Sequence, residues 1–167
     1  MDGDTPLHYA ANRTQDAAII ESLRNAGADV RERNDAGNRP VDLAWDIRGS
    51  AAYWRLVVPE GVLVPGQTVD SGLDSLDAVW DDGVPYEVWS VTARTAGQRV
   101  VIEMNSDDVD AVLRVLANDG TDVATDDDGG SGTNARVDFR ATGTGDYLVL
   151  AKSYEAGETG AYSLRVR

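Results

Sequence analysis

Two spacings of apolar residues divide the chain: up to about residue 48 they recur every three or four positions, and from about Val57 every second one. Thr5 and Pro6 stand as N-cap and first-turn residue before Leu7, Ala10 and Ala11, which predicts a helix from about Pro6 to Asn12. Ala17, Ile19, Ile20 and Leu23 share one side of a second helix, Asp16 to Asn25. It stops at Ala26-Gly27-Ala28-Asp29, where Gly27 takes the left-handed terminating conformation. Val30 to Gly37 then supplies a turn, and Pro40 begins a third helix reaching about Ile47. Beyond Val57, alternating segments are read at Glu87–Thr92, Arg99–Met104, Ala111–Leu116, Ala135–Arg140, Tyr147–Lys152 and Ala161–Arg167, separated by Gly, Asp, Asn and Ser. Val137 and Phe139 face one way and their charged neighbours the other, as do Tyr162, Leu164 and Val166. That pattern predicts antiparallel sheets with one solvated face, packed as a β-sandwich.

The helical part repeats itself. Gly3-Asp-Thr-Pro-Leu-His-Tyr-Ala-Ala11 returns, more weakly, as Gly37-Asn-Arg-Pro-Val-Asp-Leu-Ala44, 34 residues later. With Leu23, Gly27, Ala28, Asp29 and Asn34 in place, residues 2–48 resemble ankyrin repeats; the second unit departs at Arg39 and Asp42, where Thr and His are expected. Such a unit cannot bury its own apolar face, so the resemblance implies a scaffold that binds rather than a catalytic cleft. One and a half repeats need cover from upstream repeats, the following domain or a partner protein, and Trp45, Tyr53 and Trp54 are the residues expected at that junction. Met1 sits directly against the motif, so the expectation is either that a leader and earlier repeats have been trimmed away or that the repeat is N-terminal.

A second set of ordered motifs runs through the alternating part. Gly97-Gln-Arg-Val100, Asn105-Ser-Asp-Asp-Val-Asp-Ala-Val-Leu113, Asp126-Asp-Asp128, Asn134-Ala-Arg-Val137, Gly145-Asp-Tyr147 and Gly160-Ala-Tyr-Ser-Leu164 resemble the bacterial pre-peptidase C-terminal domain over about residues 58–167. The resemblance implies a jelly-roll-like sandwich that serves as an accessory module in secreted bacterial peptidases and other extracytoplasmic proteins. It further implies roles in substrate or matrix binding, export or protein contacts, with calcium in some members.

Charge is lopsided. Residues 1–59 carry seven Arg against nine acids, whereas residues 60–167 carry eight basic groups against twenty acidic ones, within a net charge of −14. A surface of that sign repels phosphate backbones and favours cations or basic proteins. Lys152 is the sole lysine and there is no cysteine, which removes disulfides, thiolate metal sites and cysteine nucleophiles. No apolar run approaches the roughly 20 residues of a membrane-spanning helix.

Few residues suit catalysis. His8, the sole histidine, lies in the Thr-Pro-Leu-His motif, where its ring serves structural hydrogen bonds, and no Gly-x-Ser-x-Gly turn accompanies it. Carboxylate pairs abound, yet they sit among Gly and Ser in turns rather than in an apolar cleft that would raise a pKa. The Gly129-Gly-Ser-Gly132 turn lacks the Lys and helix of a nucleotide loop. Calcium is the candidate cofactor, since it takes hard oxygen ligands. Asp107, Asp108 and Asp110 in one loop and Asp126, Asp127 and Asp128 in another could supply them, the family resemblance pointing to Asp110 and Asp127. If the strands between pair as a hairpin, the two clusters need not share an end. The alternative is a solvated acidic face that keeps edge strands apart, with Arg136 paired to one of these acids. Trp80 and Tyr154 are the aromatic residues expected to be exposed for a protein or sugar partner.

These readings place the chain in the α+β class: a short ankyrin-like helical unit (1–50), a junction (51–56) and an antiparallel jelly-roll-like β-sandwich (57–167). The expected role is a non-enzymatic protein–protein interaction or assembly subunit of a bacterial extracytoplasmic or membrane-attached complex, with no nucleic acid and no membrane span of its own. The alternative is an accessory region of a longer secreted hydrolase.

Overall fold

A computed structural model of the chain describes residues 3–75, 77–79 and 83–167. It divides into two compact units, Met1–Val58 with the turn Asn118–Thr121, and Pro59–Ala117 with Asp122–Arg167.

In the first unit, helix α1 spans Pro6–Arg13 and α2 spans Ala17–Asn25. Thr5 and His8 form a reciprocal cap at the start of α1, and the Asp16 carboxylate caps α2 by accepting the Ala18 N–H at 2.9 Å. Gly27, at φ +93°, ends α2 and lets the Ala28 N–H reach the Leu23 carbonyl at 3.0 Å. Leu7, His8, Ala11 and Ile20 are buried. The helix expected from Pro40 to Ile47 is instead two 3-10 turns, Pro40–Leu43 and Trp45–Ile47, separated at Ala44. The Asp42 carboxylate caps the start by accepting the Arg39 N–H at 2.7 Å, and the break comes at Ala44, where ψ turns to +36° and the N–H closes on Val41 rather than one residue further back. One more helical turn, α3 (Ala51–Trp54), is capped by Ser50 and buries Ala52, Tyr53 and Trp54. Arg55 forms an ion pair with Glu21 of α2.

The strands of the second unit are β1 Thr68–Leu73, β2 Ala78–Val79, β3 Pro85–Ala93, β4 Arg99–Asn105, β5 Ala111–Ala117, β6 Asp122–Asp126, β7 Ala135–Arg140, β8 Gly145–Ser153 and β9 Gly160–Val166. They form two antiparallel sheets, ordered β1-β9-β4-β7 and β2-β3-β8-β5-β6, which makes a β-sandwich. Ile102, Met104, Leu113, Val115, Val149 and Leu164 lie in the core between them, each fully buried. The four-stranded sheet keeps the expected alternation, clearest in β7, whose residues run buried then exposed without exception. The five-stranded sheet does not: Val112, Leu116, Leu148 and Leu150, on the side away from that core, are also buried. The cause is visible in the unbroken apolar runs Ala111-Val-Leu113 and Tyr147-Leu-Val-Leu-Ala151, which supply apolar side chains to both faces.

Candidate functional site

The β5–β6 hairpin decides where the acidic loops go. Because Leu113 pairs with Asp126, the hairpin's open end places the start of β5 beside the end of β6. The β4–β5 connection bearing Asp107, Asp108 and Asp110 and the β6–β7 connection bearing Asp127 and Asp128 therefore occupy the same end of the sandwich. Asn134 ties them together, its side chain accepting the Ser106 N–H at 2.8 Å. The two clusters thus share an end.

Their carboxylates have different employments. Asp126 accepts the Gly129 and Arg136 N–H groups at 2.8 and 2.7 Å, and Asp108 accepts the Ala161 N–H at 3.0 Å. The Arg136 guanidinium, expected on one of the loop acids, pairs instead with Glu103 at 3.5 Å, because alternation along β7 aims it across the sheet face. Asp110 differs from the rest: its Oδ1 is buried and has no hydrogen-bond partner. Burial, followed by the like charges of Asp128, Glu158, Asp127 and Glu155, raises its carboxyl above the ordinary value of 3.8. Among the described residues no three acidic or histidine side chains converge as a metal-binding set. A calcium ion here would rest on Asp110 together with loop-carbonyl and water oxygens.

A second polar group lies inside the sandwich. On β3, Trp89 donates its indole N–H to the Tyr162 hydroxyl of β9 at 2.9 Å. That hydroxyl donates in turn to the Glu87 carboxylate, which also accepts from Ser71 Oγ of β1 at 2.8 Å. Burial, and then the Glu87 carboxylate, push the Tyr162 phenol far above its ordinary value. The arrangement contains a carboxylate and a phenol, the materials of acid–base chemistry, but Tyr162 is 3% exposed and Trp89 8%, so the relay joins strands rather than meeting a substrate.

Other candidates are placed as follows. His8 is fully buried: its Nδ1 accepts the Thr5 N–H at 3.2 Å, which leaves Nε2 to donate to the Asn38 carbonyl at 2.8 Å. Tyr53 and Trp54, expected where upstream repeats, the following domain or a partner would cover the repeats, are buried and stack edge to face at 5.1 Å. Both therefore serve internal packing. Trp45 is 69% exposed with the Arg48 guanidinium 4.7 Å over its ring, and Tyr154 is 59% exposed. Trp80 lies outside the described residues.

Two stretches of this chain have recognised relatives. Residues 85–153 match the family model of the bacterial pre-peptidase C-terminal domain. Residues 2–35 match the ankyrin repeat model. Pre-peptidase C-terminal domains are non-catalytic, and the matched segment, running from β3 to the end of β8, holds both acidic loops and Trp89. Among solved structures, the pre-peptidase C-terminal domain of a Bacillus anthracis collagenase is similar at 17% identity and a TM-score of 0.49, covering 66% of this chain and 98% of its own. The Aeromonas hydrophila periplasmic inhibitor of g-type lysozyme, PliG, is similar at 17% identity and a TM-score of 0.45, covering 65% and 97%. CorA, a surface-associated copper-binding protein of Methylomicrobium album BG8, follows at 9% identity and 0.45, covering 65% and 98%. At these identities and scores nothing of those proteins' ligands carries over to this chain. No curated protein matches it.

Proposed function

We propose that the chain is a non-enzymatic interaction module, an assembly subunit of a bacterial extracytoplasmic or membrane-attached complex. The observation that carries this reading is the unfinished surface of the ankyrin-like unit. Its helices bury Leu7, Ala11 and Ile20 inside, yet leave Tyr9 and Ile19 about half exposed and Trp45 in solvent. A repeat of this kind gains stability by stacking its outer apolar face on a neighbour, so these side chains suit a protein partner. Of the residues proposed to meet that partner, Trp45 and Tyr154 stand exposed.

A second reading, an accessory region of a longer secreted hydrolase, is favoured by the pre-peptidase match at 85–153. Calcium belongs to the proposal at one place, the orphaned Oδ1 of Asp110. Low-salt purification of the native protein from its own cells, with mass spectrometry of stoichiometric companions, separates the two readings. A constant partner supports the assembly subunit. Recovery alone, or solely within a longer polypeptide carrying a catalytic domain, overturns it.

A further inference from the structure

The chain's net charge is −14, yet the fold gathers most of the sandwich's arginines on one surface. The alternation that sends Ile102, Val137 and Leu164 into the core sends Arg99, Arg136, Arg140, Arg165 and Arg167 to the outer face of the four-stranded sheet. Its acidic residues there are Asp70, Glu103 and Asp138, so the face is net positive on a strongly negative molecule.

Register places these charges in order. Arg136 lies opposite Glu103, Glu103 opposite Arg165, and Arg165 opposite Thr68, one row across all four strands. With about 4.8 Å between strands, Arg136 and Arg165 stand roughly 10 Å apart, with Glu103 between them. The Glu103 carboxylate is taken up by Arg167 at 2.9 Å and Arg136 at 3.5 Å. The Arg165 side chain has no ion pair or hydrogen bond among the described residues. Two guanidinium groups thus hold one carboxylate and a third stands unpaired, beside a hollow of about 630 Å³ whose lining adds Thr68, Asn105, Ser131 and Ser163.

A guanidinium without a partner in such a place accepts a planar oxyanion. The rest of the lining is hydroxyl and amide side chains with Gly129, Gly130 and Ala135. The outward positions of the four strands on this face carry no exposed aromatic or large aliphatic side chain. It therefore lacks the aromatic or aliphatic anchors on which protein interfaces rest. Nucleic acid would bring bases, and the outward positions of these strands offer no aromatic ring for them to stack on. What remains is a ligand that is anionic and rich in hydroxyl groups.

We propose that this arginine face binds an acidic polysaccharide, with Arg165 and Arg136 taking the carboxylates of uronate units and Thr68, Asn105, Ser131 and Ser163 taking sugar hydroxyls.

The test is binding of the full chain to polygalacturonate at low salt, with dextran as the neutral control and poly-glutamate as the acidic-peptide control. The expected result is binding to polygalacturonate that salt weakens, with no binding to dextran. Arg165→Ala should weaken it about tenfold, the loss of one charge-assisted hydrogen bond, while Arg94→Ala, in the turn after β3, leaves it unchanged. Arg165 is exposed and unpaired, so the variant's melting temperature should match the parent's. Absence of polygalacturonate binding, or undiminished binding by Arg165→Ala, overturns the proposal. Equal affinity for poly-glutamate overturns the polysaccharide assignment in favour of an acidic protein.

Discussion

Replacing Tyr162 by Phe removes one oxygen from the sandwich interior and tests whether the Trp89–Tyr162–Glu87 relay holds the sheets together. The hydroxyl accepts from Trp89 Nε1 at 2.9 Å and donates to the Glu87 carboxylate, so two hydrogen bonds are lost, one of them to a charged group. A neutral bond contributes about 1 kcal/mol and a charge-assisted one about 1.5–3 kcal/mol. Glu87 keeps Ser71 as a partner at 2.8 Å and is half-buried, which offsets part of the second loss; the Trp89 N–H, in a residue 8% exposed, has no such recourse. The expected destabilisation is therefore about 2–3 kcal/mol. At about 4 °C per kcal/mol for a domain of this size, the melting temperature should fall by roughly 10 °C. Chemical denaturation of the parent, Tyr162→Phe, Glu87→Gln and the double variant should yield a coupling of about 1 kcal/mol or more between the two positions. The sign of the alkaline response follows as well. The folded phenol keeps its proton above the ordinary value of 10.0 at which the unfolded one releases it, so this contribution is intact below pH 10.0 and is lost as pH rises beyond it. Tyr162→Phe should remove that part of the alkaline loss. A melting temperature within about 1 °C of the parent's, or additive double-variant energies, would refute the reasoning.

Two further outcomes test the other polar sites. His8→Ala strips Asn38 and Thr5 of their buried partner and leaves a void, so the helical unit should lose about 3 kcal/mol, read as a lower melting point of the helical circular-dichroism signal. Asp110 has a raised folded value, so its contribution is favourable below pH 3.8 and is lost as pH rises through that folded value. Asp110→Asn should accordingly melt higher than the parent at pH 7 in chelator, with the gap closing below pH 3.8. Calcium should raise the melting temperature of the parent and leave the variant unmoved; coincident parent melts with calcium and with chelator count against the ion.

Local rules made much of the fold legible. Thr5-Pro6-Leu7-His8 marks α1 because a cap and a first-turn proline are decided within four residues, and β7 announces itself because Arg136-Val-Asp-Phe-Arg140 alternates without interruption. Elements with weak local signals escaped: β1 reads Thr-Val-Asp-Ser-Gly-Leu and β6 Asp-Val-Ala-Thr-Asp, each with little apolar character, and both are edge strands needing pairing on one side alone. The third helix is interrupted at Ala44, where the backbone leaves helical ψ, although Asp42 caps its start as a helix would require.

The polar sites were less legible, since they depend on which strands become neighbours. Glu87 falls within a recognisable strand, but its inward role requires Tyr162, 75 residues away, and Ser71 on a strand with almost no signal. The arginine face has the same origin. Each arginine is legible as the exposed half of its own strand, but the row Arg136, Glu103, Arg165 exists because β4 lies between β7 and β9, and nothing local states that order. Summed along the sequence, these residues disappear into a charge of −14. Summed over one face of one sheet they are five against three, so net charge, a sound guide to how the whole molecule meets distant ions, is a poor guide to what can dock on a single surface of it.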